Sequence, residues 1–180
     1  MITKFKTKDL TMIALFTALI AIGAFISIPI GPVPFTMQNF FVFMAGLLLL
    51  PQHAFTSVLL YVLLGLIGLP IFAGFHGGPS MIFQPTFGFL IGFIVGAYII
   101  SKIAYHSPRL GTIVMALLLG EIVFYLIGLP YMYLYFNHMI HTPTDFSAIL
   151  SMGLIPFIIP DMVKLGIATL VAPRLFKAIY

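Results

Sequence analysis

Between Leu10 and Ser101 the chain carries no Asp, Glu, Lys or Arg. A water-soluble domain places charge on about a quarter of its residues, so a stretch of this length cannot clothe a core that faces water. Its solvent is lipid. The whole sequence agrees, being 62% hydrophobic and 7% charged with a mean hydropathy of +1.20. The net charge of +4 comes from dispersed basic residues and gives no face for nucleic acid. With no Cys, the chain has no disulfide, thiolate nucleophile or Cys-ligated metal.

A helix needs about 20 apolar residues to cross the hydrocarbon core of a bilayer. Pro, Gly and charged residues cut the sequence into six such candidates: Leu10 to Ile28, Phe35 to Leu50, Ala54 to Leu69, Ile82 to Ser101, Leu110 to Leu129, and Phe157 to Leu175. The second and third meet at Pro51-Gln52-His53, which suits a tight turn between two spans. The expected architecture is all-α, one integral membrane bundle of six transmembrane helices over residues 1–180. Lys4, Lys6, Lys8, Lys102, Arg109, Arg174 and Lys177 all fall on one side of this arrangement, and the positive-inside rule makes that side, with both termini, cytoplasmic.

Lys164 is the exception. It stands three residues after Asp161, so on a helix the two share a face. They interrupt an apolar segment, with Lys164 about 10 Å from the outer end of the last span at about 1.5 Å rise per residue. An ionisable group at membrane depth costs about 2.5 to 3.5 kcal/mol on insertion scales, so the pair reads as a functional site open to the outside. Each partner favours the ionised form of the other. Glu121, in the middle of span five, is the other deep charge; it reads equally as a structural hydrogen bond or as part of transport.

The loops add candidates. Pro32 and Pro34 stiffen an extended outer loop into span two, where Thr36 can cap the helix and Gln38 and Asn39 bring donors and acceptors suited to a neutral polar ligand. The tetrapeptide Ile-Gly-Leu-Pro ends span three at Pro70 and span five at Pro130. After Pro70 a glycine-containing loop with Gly74 and His76 can approach a solute or fold over it. It is no phosphate loop, since G-x-x-x-x-G-K-[ST] is absent. Gly88, Gly92 and Gly96 form a stripe for helix packing, and Ala14, Ala18 and Ala21 make a small-residue face on the first helix, equally suited to packing within the bundle or to another subunit. His138 and His141 lack a third ligand nearby and read as interfacial residues rather than a metal site. Thr144 and Asp145 start a short interfacial helix through Met152.

Taken in order, Gly31-Pro-Val-Pro-Phe-Thr36 with Gln38, Gly65 to Pro70 with Phe72-Ala-Gly74, Gly77-Gly78, Pro85-Thr-Phe-Gly-Phe89 with Gly92-Phe93, and Pro160-Asp161 with Lys164 resemble the motifs of the BioY family. Those proteins are the biotin-specific substrate-binding subunits of energy-coupling-factor (ECF) transporters. The resemblance covers nearly the whole chain.

It implies a six-helix subunit in the cell membrane that captures biotin near the outer face and makes or breaks no bond. Asp161 and Lys164 match the family's pocket residues, and residues from Gly74 to Gln84 match its pocket wall. Some members carry a basic residue where this chain has Gln84, and Trp is common where Tyr131 stands. Ala14 and Ala18 match the docking face for the transmembrane coupling subunit, which favours docking over internal packing. Against such a pocket, Asp161 can accept from the ureido N–H groups of biotin, Lys164 can donate to the ureido carbonyl or the vitamin's acid, and Phe35, Phe72, Phe75 and Phe87 supply apolar walls. No cofactor is expected, and ATP is used only by two partner ATPase subunits, because this chain has no nucleotide motif. Two rivals are a stand-alone biotin carrier, secondary or dimeric, with Glu121 as a proton relay, and an intramembrane enzyme, disfavoured because G-x-S-x-G and H-E-x-x-H are both absent.

Overall fold

The computed structural model describes residues 6–105, 107 and 109–179; Lys4 lies outside them. Among the described residues seven α-helices carry the fold: α1 (Thr7–Phe25), α2 (Gln38–Leu48), α3 (Pro51–Leu66), α4 (Phe87–Ala104), α5 (Leu110–Leu134), α6 (Phe146–Gly153) and α7 (Ile155–Ile179). Four helical stretches are long and apolar enough to cross a membrane, Thr7–Phe25, Phe87–Ala104, Leu110–Met139 and Phe146–Ile179. The other two expected spans are shorter. At about 1.5 Å per residue, α2 is only about 16 Å long, because the chain enters it from inside one end of the bundle.

That entry is a small hairpin rather than an extended loop. Strand β1 (Ser27–Ile28) pairs antiparallel with β2 (Phe35–Thr36). Gly31 takes a φ of +64° in the turn, a conformation glycine adopts without a Cβ penalty, while the prolines on either side hold the arms stiff. The Met37 amide then donates to the carbonyls of Gly23 and Ile26, tying the start of α2 to the end of α1.

Pro51 occupies the first turn of α3, where a missing N–H costs nothing. The link from α2 is therefore only two residues, and Ser101 of α4 donates to the Leu49 carbonyl within it at 2.6 Å. The two Ile-Gly-Leu-Pro segments behave differently. At the first, α3 stops and Gly68 adopts a φ of +113°. At the second, α5 runs on through Pro130 to Leu134, then into a wider turn over Tyr135–Met139. Gly128 there lies flat against the ring of Phe89, so packing on α4 holds the backbone helical where the tetrapeptide alone would end it.

Between apolar helices in lipid, association depends on close contact rather than on exclusion of water. Helices α4 and α5 form the most extensive pairing, and glycines make it possible. A Cβ at Gly92 would sit 3.0 Å from the Phe124 backbone, one at Gly96 2.3 Å from its ring, and one at Gly120 2.4 Å from Ile100. Helix α2 joins through Gly46, whose Cβ would meet Ile100 at 2.7 Å. Asp145 stands at the start of α6 but makes no side-chain cap; instead its carbonyl accepts from Ala148 and Ile149.

The ends of the bundle differ in chemistry. At one end the Lys8 ammonium donates to the Ile179 carbonyl, Asp9 lies 3.9 Å from His53, and Tyr105 packs on Phe176. Lys6, Lys102, Arg109, Arg174 and Lys177 belong to the helix termini that meet there. The other end holds the hairpin, the loop from Ile71 to Thr86 and a cavity.

Candidate functional site

The cavity has a volume of about 530 Å³ and opens between the hairpin and the loop that follows α3. That size suits a small organic ligand. Phe89, Phe93, Phe124 and Phe157 supply apolar wall, and Tyr61 and Phe72 close the side below the loop. Phe124 is also the residue on which Gly92 and Gly96 pack, the first on its backbone and the second on its ring, so the floor of the cavity is continuous with the contact between α4 and α5.

Its polar wall is assembled from three helices. Pro160 and Asp161 lie in α7, and the next helical turn brings Lys164 onto the same face, with Nζ 2.9 Å from Asp161 Oδ1. Both residues are 4% exposed. Charges so far from water persist only when paired and hydrogen-bonded, and here they are. The Lys164 ammonium donates to the Thr36 carbonyl at 2.7 Å, to Asn39 Oδ1 at 2.8 Å and to Asp161 Oδ1, which uses its three hydrogens. Its alkyl end lies against Phe35, whose ring centre is 4.2 Å from Nζ. Asp161 Oδ1 also accepts from Asn39 Nδ2 at 2.8 Å, and Oδ2 accepts from the Tyr125 hydroxyl of α5 at 2.5 Å. The Thr36 hydroxyl in turn accepts from the Gln38 amide at 3.3 Å and steadies the start of α2.

Asp161, Lys164, Asn39, Gln38, Thr36, Phe72, Gly74, His76 and Gln84 all line this one cavity. The last three sit at its exposed mouth. Phe35 and Phe87 are not in the lining: Phe35 covers the lysine, and Phe87 packs on Tyr131 at 5.9 Å between ring centres. Phe75, expected beside them, stacks on Phe25 at 4.6 Å and is largely exposed. The Tyr131 hydroxyl donates to the Ile82 carbonyl and pins the loop to α5.

Sequence reasoning missed Tyr125 and left Glu121 without an assignment. The two are four residues apart on α5 and share its face toward the cavity. That spacing was the available signal, because Glu121 and Tyr125 are a polar pair in the apolar middle of the helix. Glu121 is 5% exposed, and its neighbour Gly120 faces the opposite way, onto Ile100. Ala14 and Ala18 lie on the uncovered face of α1, whereas Ala21 is buried in the bundle. Among the described residues, no three His, Asp or Glu side chains come together as a metal site.

A cavity with apolar walls, one buried ion pair and several amide and hydroxyl groups is built to hold a compact, polar-headed solute. It offers neither an activated nucleophile nor a nucleotide cradle. Known proteins resemble this chain in sequence and fold. The "Biotin transporter BioY" of Thermotoga maritima is 40% identical over 170 residues, 94% of this chain and 96% of that one. A relative from Pyrococcus horikoshii is 40% identical over 174 residues, covering 94% of this chain and 97% of its own. The fold superposes with a TM-score of 0.82 on the crystal structure of the S-component for biotin from an ECF-type ABC transporter, 32% identical, over 98% of this chain and 95% of that one. The pocket motifs, the four long apolar helices and a family profile matching residues 1–180 converge on one assignment: this helical membrane protein belongs to the BioY family.

Proposed function

We propose that this chain is the membrane-embedded capture subunit of an ECF-type vitamin transporter, which takes biotin into the cavity from the outer side and delivers it together with a transmembrane coupling subunit and two ATPase subunits. The observation that carries the reading is the buried Asp161–Lys164 pair set at the polar end of an apolar-walled cavity, in a chain of BioY sequence and biotin S-component fold. Biotin has a cyclic urea, an apolar bicycle and a valerate tail. The urea goes to the polar wall of Asp161, Lys164, Asn39 and Gln38, and the bicycle lies against Phe72 and the deeper phenylalanines. The tail extends toward Gly74, His76 and Gln84 at the mouth. Such a site rejects analogues without the urea, because its own polar groups would be left unpaired.

The chain forms one six-helix unit in the cell membrane with both termini cytoplasmic. Support comes from the basic residues that meet at the end of the bundle opposite the cavity, as the positive-inside rule requires. Ala14 and Ala18 dock the coupling subunit through their smooth, uncovered face.

Calorimetric titration of the purified protein with biotin, its methyl ester and desthiobiotin tests the reading. Biotin is expected to bind tightly, desthiobiotin to retain binding through its urea, and Asp161→Asn to abolish both. Protein that takes up no heat with biotin overturns the proposal. Uptake into liposomes by this chain alone would replace the capture subunit with a stand-alone carrier.

A further inference from the structure

Resting on the biotin reading, we propose that Glu121 is a direct ligand contact, its Oε2 accepting one ring N–H of the cyclic urea while the Gln38 amide donates to the urea carbonyl. Two observations carry it. Glu121 Oε2 and Gln38 Nε2 are the buried side-chain polar atoms without a hydrogen-bond partner among the described residues, and both residues line the cavity. They are 5% and 4% exposed, so each atom has been removed from water and left incomplete, a condition folded proteins avoid unless something supplies the missing partner.

The second observation is how much bonding capacity the Asp161–Lys164 pair has left. All three hydrogens of the Lys164 ammonium are committed, to Thr36, Asn39 and Asp161. The lysine therefore has nothing further to donate without breaking a bond inside the protein. A carboxylate has about four lone-pair sites, and Asp161 uses three, for Lys164, Asn39 and Tyr125. One acceptor site remains on Oδ2. The open valences of the polar wall thus include an acceptor on Asp161, a donor on Gln38 and an acceptor on Glu121. A cyclic urea presents the complement, two N–H donors flanking one carbonyl. Asp161 alone satisfies one N–H; Glu121 is the group that satisfies the other. Lys164 then acts mainly as the partner that holds Asp161 in place and aimed.

The proposal predicts a change in selectivity that a merely structural glutamate would not cause. Biotin and two analogues, methylated singly on either ring nitrogen, are titrated against the purified wild-type protein, Glu121→Ala and Glu121→Gln. The wild type is expected to penalise both analogues. In Glu121→Ala, biotin affinity falls about 10-fold, as for loss of a buried hydrogen bond. For one of the two analogues the penalty relative to biotin collapses to within about threefold, since the group that required that N–H has gone. Glu121→Gln preserves the side-chain volume, and the same penalty shrinks in it, so the criterion holds even where the alanine variant does not fold. If biotin and both analogues weaken by one common factor, or if biotin affinity is unchanged, Glu121 does not touch the ligand and the inference is overturned. Wild-type protein without affinity for biotin overturns the biotin reading itself, a result distinct from either.

Discussion

The two halves of the bundle are held together by opposite means. Around the cavity, α2, α5 and α7 are joined by hydrogen bonds among Asn39, Tyr125, Asp161 and Lys164, and the helices stand far enough apart to leave about 530 Å³ between them. Toward the other end, α2, α4 and α5 are joined by the absence of side chains at Gly46, Gly96 and Gly120. In lipid, neither half gains from hiding apolar surface, because the solvent is as apolar as the core. Small residues let one half close without a gap. Directional polar bonds let the other half stay open without collapsing, and the same bonds equip it for a ligand. One turn of α5 holds both devices, with Gly120 facing Ile100 and Glu121 facing the cavity.

If that division is right, the largest effect on binding comes from cutting the polar half at its charge pair. Lys164→Ala leaves Asp161 buried with only Asn39 and Tyr125 as donors. Removing one partner of a buried pair costs about 3 to 5 kcal/mol, so biotin affinity should fall by more than about 100-fold, at about 1.4 kcal/mol per tenfold. Thermal melting should drop in the same variant. Undiminished binding in a titration would show that the pair is only structural.

A smaller loss is expected where the halves meet. Phe93 lines the cavity and packs edge-on against Phe124 with ring centres 4.7 Å apart. Phe93→Ala removes one aromatic wall but no polar contact, and aromatic contacts of this kind are worth about 0.5 to 1.5 kcal/mol beyond their area. Biotin should bind about tenfold more weakly, with its preference over N-methylated analogues intact. A changed preference would mean that the apolar wall also positions the urea.

Cutting the closed half should separate stability from affinity. In Gly46→Ala the new methyl would lie 2.7 Å from Ile100 Cγ2 and 3.2 Å from the Ala97 carbonyl. Overpacking of this kind costs about 1 to 3 kcal/mol. The variant should unfold at a lower temperature, while the folded fraction binds biotin within about twofold of the wild type. Equal losses in both measurements would show that the two halves are not independent.

The same division explains what the residues alone could tell. Asp161 and Lys164 were legible because charge in an apolar helix stands out, and their spacing fixed a shared face. The choice among phenylalanines was not. In water a core-facing ring betrays itself by periodicity, but in a membrane both the lipid face and the interior are apolar. Phe35 and Phe87 were as good candidates for the wall as Phe89, Phe93, Phe124 and Phe157, which form it. The second Ile-Gly-Leu-Pro was illegible for a related reason. Whether Gly128 ends a helix or packs one depends on Phe89 across the interface, which no local pattern records. Likewise the short α2 follows from the hairpin beneath which it starts, and hydropathy alone could only draw it at full span length.

The smallest effect on binding, and the most informative about coupling, is expected on the outer face of α1. Ala14 and Ala18 are exposed, one turn apart, while Phe16 and Thr17 between them turn inward. A leucine at Ala14 would therefore meet lipid and no part of this chain, so neither the glycine contacts nor the polar wall should register it. Ala14→Leu should melt like the wild type and bind biotin within about twofold. If another helix must approach this face closely, the added branch keeps it away, because small residues at four-residue spacing are what permit backbone approach in lipid. ATP-dependent biotin uptake by cells carrying the full transporter should then fall several-fold with binding unchanged. Normal uptake would mean that the proposed coupling subunit does not dock on this face, and impaired binding would mean that α1 reports to the cavity through the hairpin that joins it to α2.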